Sequence, residues 1–116
     1  MKIEFAPDTV ALVTGASKGI GYACAEQLCS CGAKVAIAAR STDELQRARD
    51  QLAENGATVS AFSADLSDPA QAIGLVEQVE KAMGPIGVLV SSAGAAKRFT
   101  IDELGAEGLH LSLIHI

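Results

Sequence analysis

The sequence predicts an α/β protein in which helices cover an open, mostly parallel sheet. Short runs of continuous apolar residues recur along the chain, as is typical of strands buried on both faces. Segments with apolar residues three or four positions apart lie between these runs, and glycine, proline or asparagine marks their ends. Strands that alternate with helices in this way favour a parallel sheet with right-handed crossovers.

The first half of this pattern begins with a strand over Val10–Thr14 (VALVT). A helix is predicted from about Gly19 to Cys31, and Gly32 ends it. Its expected apolar stripe consists of Ile20, Ala23, Cys24, Leu28 and Cys31. Lys34–Ala39 (KVAIAA) is the second predicted strand.

A second helix is predicted to start at Ser41, because Glu44 three residues later completes the pattern of a capping box. This helix runs to about Glu54 and is closed by Asn55-Gly56. The third strand is then expected over Thr58–Ser63 (TVSAFS).

Asp68-Pro69 predicts the start of a third helix, since proline is favoured at the first helical position. Its apolar stripe is Ala72, Leu75, Val76, Val79 and Met83. Gly84-Pro85 ends it, a fourth strand follows over Ile86–Val90, and the loop SSAGAAKR comes next.

Composition excludes several classes of function. The chain has 116 residues, 49% of them hydrophobic, and a net charge of -5, so it carries no basic surface for nucleic acid. It contains no apolar run of about 18 residues that could span a membrane, and residues 1–8 do not form a secretory signal. We therefore expect a cytoplasmic protein that binds neither nucleic acid nor membrane.

The three cysteines, Cys24, Cys29 and Cys31, are expected to be reduced, semi-buried thiols. A C-x-C pair alone is not metal-ligand spacing, and His110 and His115 are the only further soft ligands in the sequence. No metal site is predicted.

The stretch TGASKGIG (Thr14–Gly21) connects the first strand to the first helix. Backbone N–H groups at such a helix start favour an anion, so the turn is a candidate phosphate site. Gly15 permits a sharp turn, Gly19 lets a phosphate approach the backbone, and Gly21 lets the helix pack on the strand. Ile20 stands where a P-loop would have lysine.

With its G-x-x-x-G-x-G spacing, this stretch resembles the short-chain dehydrogenase/reductases of the plain, non-extended branch. SADLSD (Ser63–Asp68) and SSAG (Ser91–Gly94) agree with the family in order and position, and the likeness covers about Thr9–Thr100. The resemblance implies a Rossmann-type doubly wound parallel sheet with strand order 3-2-1-4-5, here truncated after about four strands. It also implies a nicotinamide cofactor.

The resemblance implies a set of cofactor-binding residues: Gly15, Ser17, Lys18, Gly19, Ile20, Gly21, Arg40, Asp65, Leu66, Ser92, Ala93 and Gly94. In the family the residue at Asp65 contacts adenine. Ser91 and Ser92 depart from the family's usual Asn-Asn and have no side-chain amides to make its hydrogen bonds, and Gly87 replaces a common Asp.

The residue after the second strand favours NADP over NAD. An acid there would accept from the ribose hydroxyls, whereas Arg40 can bind a 2′-phosphate and Lys18 adds a second positive charge. Two alternatives remain open: Lys18 is a solvated loop lysine, and Arg40 pairs with Asp43 or Glu44.

No catalytic residue is predicted in this chain. The family uses a Ser and a Tyr-x-x-x-Lys pair, but the single tyrosine, Tyr22, is followed four residues later by Glu26. Tyr22 is therefore predicted to be structural or to lie near the cofactor. Lys97 and Arg98 are either solvated loop charges or lie near substrate.

The expected division is an NAD(P)-binding domain over 1–110 and a non-native tail over 111–116. The nucleotide string CTG-TCT-CTT-ATA-CAC-ATC would encode LSLIHI and resembles the end of a transposase-based sequencing adapter. The hypothesis is that these codons are adapter read-through at the end of a truncated gene fragment, so the histidines receive no role. The fourth strand is then expected to be an exposed, aggregation-prone edge, and the chain alone to be poorly soluble.

Three hypotheses follow for function. The first is the cofactor half of an NADP-dependent oxidoreductase that acts on a small carbonyl or alcohol substrate, inactive alone, from a homo-oligomeric parent. The second is a non-catalytic dinucleotide-binding or sensor domain. The third, another nucleotide binder such as a methyltransferase, is disfavoured by Arg40.

Overall fold

The computed structural model describes residues 8–17, 19–91 and 112–115. They form one parallel sheet in the order β3-β2-β1-β4-β5, with α1, α2 and α3 as crossovers. The elements are β1 (Val10–Thr14), α1 (Gly19–Ser30), β2 (Lys34–Ala39), α2 (Thr42–Ala53), β3 (Val59–Ser63), α3 (Pro69–Met83), β4 (Ile86–Ser91) and β5 (Ser112–His115). The predicted α/β class and the first four strands are confirmed within a residue or two at each end.

Alternate residues of β1 and β2 divide the core into two layers, as the two-residue period of a strand requires. Val10 and Leu12 belong to the layer under α3, together with Leu75 and Val79. The alternate residues Ala11 and Val13 belong to the layer under α1 and α2. Both faces of the central strands are therefore covered, which explains their continuous apolar sequence.

The helix boundaries follow from local chemistry. Asp68 caps α3, since its Oδ1 accepts from the N–H of Ala70 at 3.0 Å, and Pro69 takes the first helical position. Gly32 and Gly56 follow α1 and α2 with φ of 88° and 82°, the left-handed conformation that ends helices.

The capping box predicted at Ser41 is not formed. Ser41 occupies the N-cap position with extended backbone, and its carbonyl accepts from the N–H of Leu45 at 3.0 Å, yet its side chain makes no capping hydrogen bond. The residue is exposed, so water can solvate its hydroxyl and the first N–H groups of α2.

The apolar stripe predicted for α1 is wrong at its start. Ile20 is 62% exposed and Ala23 is also exposed, whereas Gly21 and Ala25 are buried. The buried face is offset by one residue because Gly21, which has no side chain, lets the first turn approach the sheet closely. Ile20 then projects at the mouth of the strand-to-helix turn.

The fourth strand is not an edge in this structure. β5 pairs with it in parallel, with Leu89 opposite Leu113 and Val90 opposite Ile114. The outer backbone groups of β4 thereby obtain hydrogen-bond partners, as buried backbone requires.

Within the described ranges, none of the helices α1 to α3 combines the length and the apolar character that a membrane span needs.

Candidate functional site

The carboxyl ends of β1 to β4 lie along one edge of the sheet. Thr14, the last residue of β1, is level with Ala38 on one side and with Ser91 on the other, and Ala39 is level with Ser63. The order in which strands are added reverses at β1, because β2 and β3 lie on one side of it and β4 lies on the other. In parallel α/β sheets, ligands bind in the crevice outside this switch point.

The turn after β1 is attached to the neighbouring strand. Gly15 has a φ of 66°, and its N–H donates to the carbonyl of Ala38 at 2.8 Å. The N–H of Ala16 donates to the same oxygen at 3.4 Å. The buried Thr14 hydroxyl donates to the carbonyl of Val90 at 3.5 Å, so the turn is held between β2 and β4.

The start of α1 is open to an anion. Gly19 has a φ of 66°, and a Cβ placed on it would meet no atom of the described residues within 4 Å. The first turn of α1 contains no acidic residue, in contrast to α2, which carries Asp43 and Glu44 there. The positive end of the α1 dipole is therefore not neutralised by the helix's own first turn, and its first N–H groups lack acceptors within the helix.

Arg40 follows β2 directly, and its main chain is tied to the loop after β3. The Ser63 hydroxyl donates to the carbonyl of Arg40 at 3.3 Å, and the N–H of Ala64 donates to the carbonyl of Ala39 at 3.1 Å. Within the described part of the chain, Arg40 forms no ion pair. The alternative in which it pairs with Asp43 or Glu44 is thus not observed, and its exposed side chain is available to a ligand.

Asp65 lies at the start of the loop between β3 and α3. The hydroxyl and the N–H of Ser67 both donate to its Oδ1, at 2.6 and 3.0 Å. These two hydrogen bonds lower the pKa of the Asp65 carboxyl, and the positive charge of Arg40 lowers it further. Asp65 is therefore an anion at neutral pH, beside a cation on the neighbouring loop.

Two neighbours of Asp65 that sequence reasoning missed organise this loop. Ser67 provides the two donors just described, and Gln71 accepts the N–H of Asp65 at 2.8 Å. The spacing of Asp65 and Ser67 is that of an Asx turn and was visible in the sequence. The role of Gln71, six residues from Asp65, had no comparable local signal.

The structure brings the sequence-predicted residues Gly15, Ser17, Gly19, Ile20, Gly21, Arg40, Asp65 and Leu66 to the carboxyl edge of the sheet and the loops beside it. The predicted residues Lys18, Ser92, Ala93 and Gly94 lie outside the described residues, as do Lys97 and Arg98.

Tyr22 is half-buried on α1 and packs against the core layer under α1 and α2. Burial, and then the negative charges of Glu26 and Glu54, raise the pKa of its hydroxyl. This is opposite to the lowered pKa of an activated catalytic tyrosine, so the environment of Tyr22 fits a structural residue. Cys24, Cys29 and Cys31 are semi-buried free thiols, as predicted.

The family profile named short chain dehydrogenase matches residues 9–116. The chain belongs to the short-chain dehydrogenase family. It is 36% identical to 2,3-dihydro-2,3-dihydroxybenzoate dehydrogenase of Bacillus subtilis over 84% of this chain and 38% of that protein. It is 37% identical to gluconate 5-dehydrogenase of Gluconobacter oxydans over 80% of this chain and 36% of that protein.

Solved structures agree with this family membership. The chain superposes on L-sorbose reductase from Gluconobacter frateurii, solved with NADPH and L-sorbose, with a TM-score of 0.76 and 35% identity, over 89% of this chain and 39% of that one. The chain superposes on actinorhodin polyketide ketoreductase with NADPH with a TM-score of 0.73 and 34% identity, over 85% of this chain and 38% of that one. This short-chain dehydrogenase chain spans less than two fifths of the length of each of the two dehydrogenases from Bacillus subtilis and Gluconobacter oxydans.

Proposed function

We propose that this chain is the cofactor-binding part of an NADP-dependent short-chain dehydrogenase/reductase. The observation that carries the proposal is the alignment of three features along one sheet edge: the open start of α1 at Gly19, the cation Arg40, which has no ion-pair partner among the described residues, and the anion Asp65. They follow β1, β2 and β3, which are neighbours in the sheet.

The described residues fit the parts of a dinucleotide. The open space over Gly19 and the dipole of α1 suit the pyrophosphate. Arg40 suits a phosphate on the adenosine ribose, and the Asp65–Leu66 segment suits adenine. The backbone N–H of Leu66 has no acceptor among the described residues, which leaves a donor for the base.

Arg40 is the basis for preferring NADP to NAD. A charge-assisted hydrogen bond contributes about 1.5–3 kcal/mol, which corresponds to roughly 10- to 150-fold in affinity. No acid stands at this position to accept from ribose hydroxyls, so NAD gains nothing comparable.

In the whole protein we propose hydride transfer between the nicotinamide and a small carbonyl or alcohol substrate. The cofactor supplies the hydride when bound; the residues of this chain hold its phosphates and adenosine. The sequence has no Tyr-x-x-x-Lys pair to supply the proton, so we expect this chain alone to bind NADPH without turnover.

The test is a titration of the chain with NADPH and with NADH, followed by calorimetry or nicotinamide fluorescence. Arg40→Ala should lower affinity for NADPH about 10-fold or more and leave affinity for NADH nearly unchanged. Arg47→Ala removes an exposed arginine from the solvent side of α2 and serves as the matched control. Equal losses for both cofactors with Arg40→Ala would refute the NADP assignment.

A further inference from the structure

Gln71, in the first turn of α3, uses both ends of its side-chain amide although it is exposed. Its Oε1 accepts from the backbone N–H of Asp65 at 2.8 Å, and its Nε2 donates to Oδ2 of Asp68 at 3.3 Å. The partners determine the amide orientation, because an N–H requires the oxygen and a carboxylate requires the nitrogen. An exposed glutamine side chain is usually hydrated and mobile, whereas these two hydrogen bonds hold the Gln71 amide in one orientation.

The other oxygen of Asp68 anchors the amide to the helix. Oδ1 of Asp68 accepts from the N–H of Ala70 at 3.0 Å and so caps α3. Gln71 therefore connects the N-terminus of α3 to the main chain of Asp65. The loop between β3 and α3 is held at Asp65, rather than only at its two ends.

These bonds determine which polar groups of the loop remain available. The N–H of Asp65 is used by Gln71, and Oδ1 of Asp65 is used twice by Ser67. Among the described residues, neither Oδ2 of Asp65 nor the N–H of Leu66 has a partner. One acceptor and one donor thus remain on consecutive residues.

We propose that Gln71 is a positioning residue that makes the site selective for adenine, an inference that rests on the proposed NADP-binding function. The 6-amino group of adenine is a donor and its N1 is an acceptor, which complements the free carboxylate oxygen and the free N–H. Hypoxanthine has the reverse pattern, an acceptor at position 6 and a donor at N1. A site with hydrogen-bonding groups held in place rejects a ligand that leaves them unpaired.

The experiment compares NADPH with its hypoxanthine analogue, reduced nicotinamide hypoxanthine dinucleotide phosphate, on the full chain. Gln71→Met keeps length and helix propensity but removes both hydrogen bonds. We expect it to weaken NADPH binding about 3- to 10-fold, the range for one neutral hydrogen bond, and to leave the analogue nearly unchanged. The ratio of the two affinities should shrink accordingly.

Two further variants separate positioning from stability. Gln71→Glu combined with Asp68→Asn keeps an acceptor for the N–H of Asp65 and lets the amide nitrogen at position 68 donate to the new carboxylate, so this double variant should retain most of the adenine preference, and it remains informative if Gln71→Met does not fold. Gln78→Met changes an exposed glutamine of α3 whose side chain makes no hydrogen bond to the described residues. This variant should leave the ratio of the two affinities unchanged.

The outcomes distinguish this inference from the function on which it rests. A wild-type preference for NADPH that persists in full in Gln71→Met, or a loss of the preference in the double variant Gln71→Glu, Asp68→Asn as large as in Gln71→Met, would overturn the positioning role alone. A wild-type chain that binds neither dinucleotide would overturn the proposed function and this inference with it.

Discussion

Substituting alanine for Gly19 separates the two roles that a glycine can have in this fold. Gly19 has a φ of 66° and Gly56 a φ of 82°, and a Cβ added to either would meet nothing within 4 Å. An alanine at either position would therefore have the same kind of backbone strain, without a steric clash against the described residues. They differ in place: Gly19 lies at the carboxyl edge of the sheet, and Gly56 lies in the α2–β3 loop at the opposite edge.

The effect on stability should be alike at the two positions. A residue with a Cβ in the left-handed region costs about 1–2 kcal/mol, and no further cost arises because the space is empty. For a chain of this size, each kcal/mol corresponds to a fall in Tm of roughly 4 °C. Thermal unfolding of Gly19→Ala and Gly56→Ala should therefore give similar decreases.

The effect on binding should be unlike. The alanine methyl at Gly19 would occupy the space proposed for the pyrophosphate, so one charge-assisted hydrogen bond of about 1.5–3 kcal/mol should be lost. This predicts a Kd for NADPH roughly 10- to 150-fold higher, measured by calorimetry below the Tm of every variant. Gly56→Ala should bind like the wild-type chain.

Two results would refute this reasoning. Equal losses of affinity in Gly19→Ala and Gly56→Ala would mean that the effect comes from stability alone. An unchanged Kd in Gly19→Ala would mean that the open space at the start of α1 does not hold the phosphates.

Two further predictions concern the loops that position the site. The pKa of the Asp65 carboxyl is lowered in the folded chain. Its contribution to the free energy of unfolding is therefore present at pH values above the ordinary pKa of about 3.8 and is lost as the pH falls below that value. Chemical denaturation should show that the difference in free energy of unfolding between wild type and Asp65→Asn is constant at pH 5–7 and shrinks near pH 3. Glu80 accepts the N–H of Ile86 at 3.2 Å where β4 begins. Glu80→Ala should cost about 1–3 kcal/mol in urea unfolding because it leaves that part-buried donor unpaired, whereas Glu77→Ala, on the exposed face of α3, should stay within about 0.5 kcal/mol.

The elements could be predicted because their signals are local and agree with one another. The apolar run VALVT and the Asp68-Pro69 start of α3 each match the structure, since burial on both faces and N-capping depend on adjacent residues. The glycine turn was recognisable for the same reason: it needs only a strand, a glycine spacing and a helix in sequence.

Predictions that depend on packing were less accurate. The predicted spacing of apolar residues in α1 was correct, but the buried face is shifted by one residue. The reason is that Gly21 has no side chain, so its face of the helix can approach the sheet. The Ser41 capping bond competes with water at an exposed site, which sequence does not reveal. The role of Gln71 depends on the path of the loop between β3 and α3, which no local pattern encodes.

The three features of the site come together because of the order of the strands. β1, β2 and β3 are consecutive neighbours, so the residues that follow them are placed side by side in chain order. The sheet continues on the other side of β1, where β4 pairs with it in parallel. α3 therefore crosses beneath the sheet to β4, which puts its first turn, with Gln71, below the end of β3 and leaves the α1 turn at the switch point. A single dinucleotide lying across this edge would meet phosphate, ribose and base contacts from three successive loops. Substitutions at Gly19, Arg40 and Gln71 should consequently affect separate parts of one ligand and add in free energy. An unchanged Kd for NADPH in any one of the single variants would show that its loop does not contact this ligand, and a strong departure from additivity in the double variants would show that the three contacts are not independent.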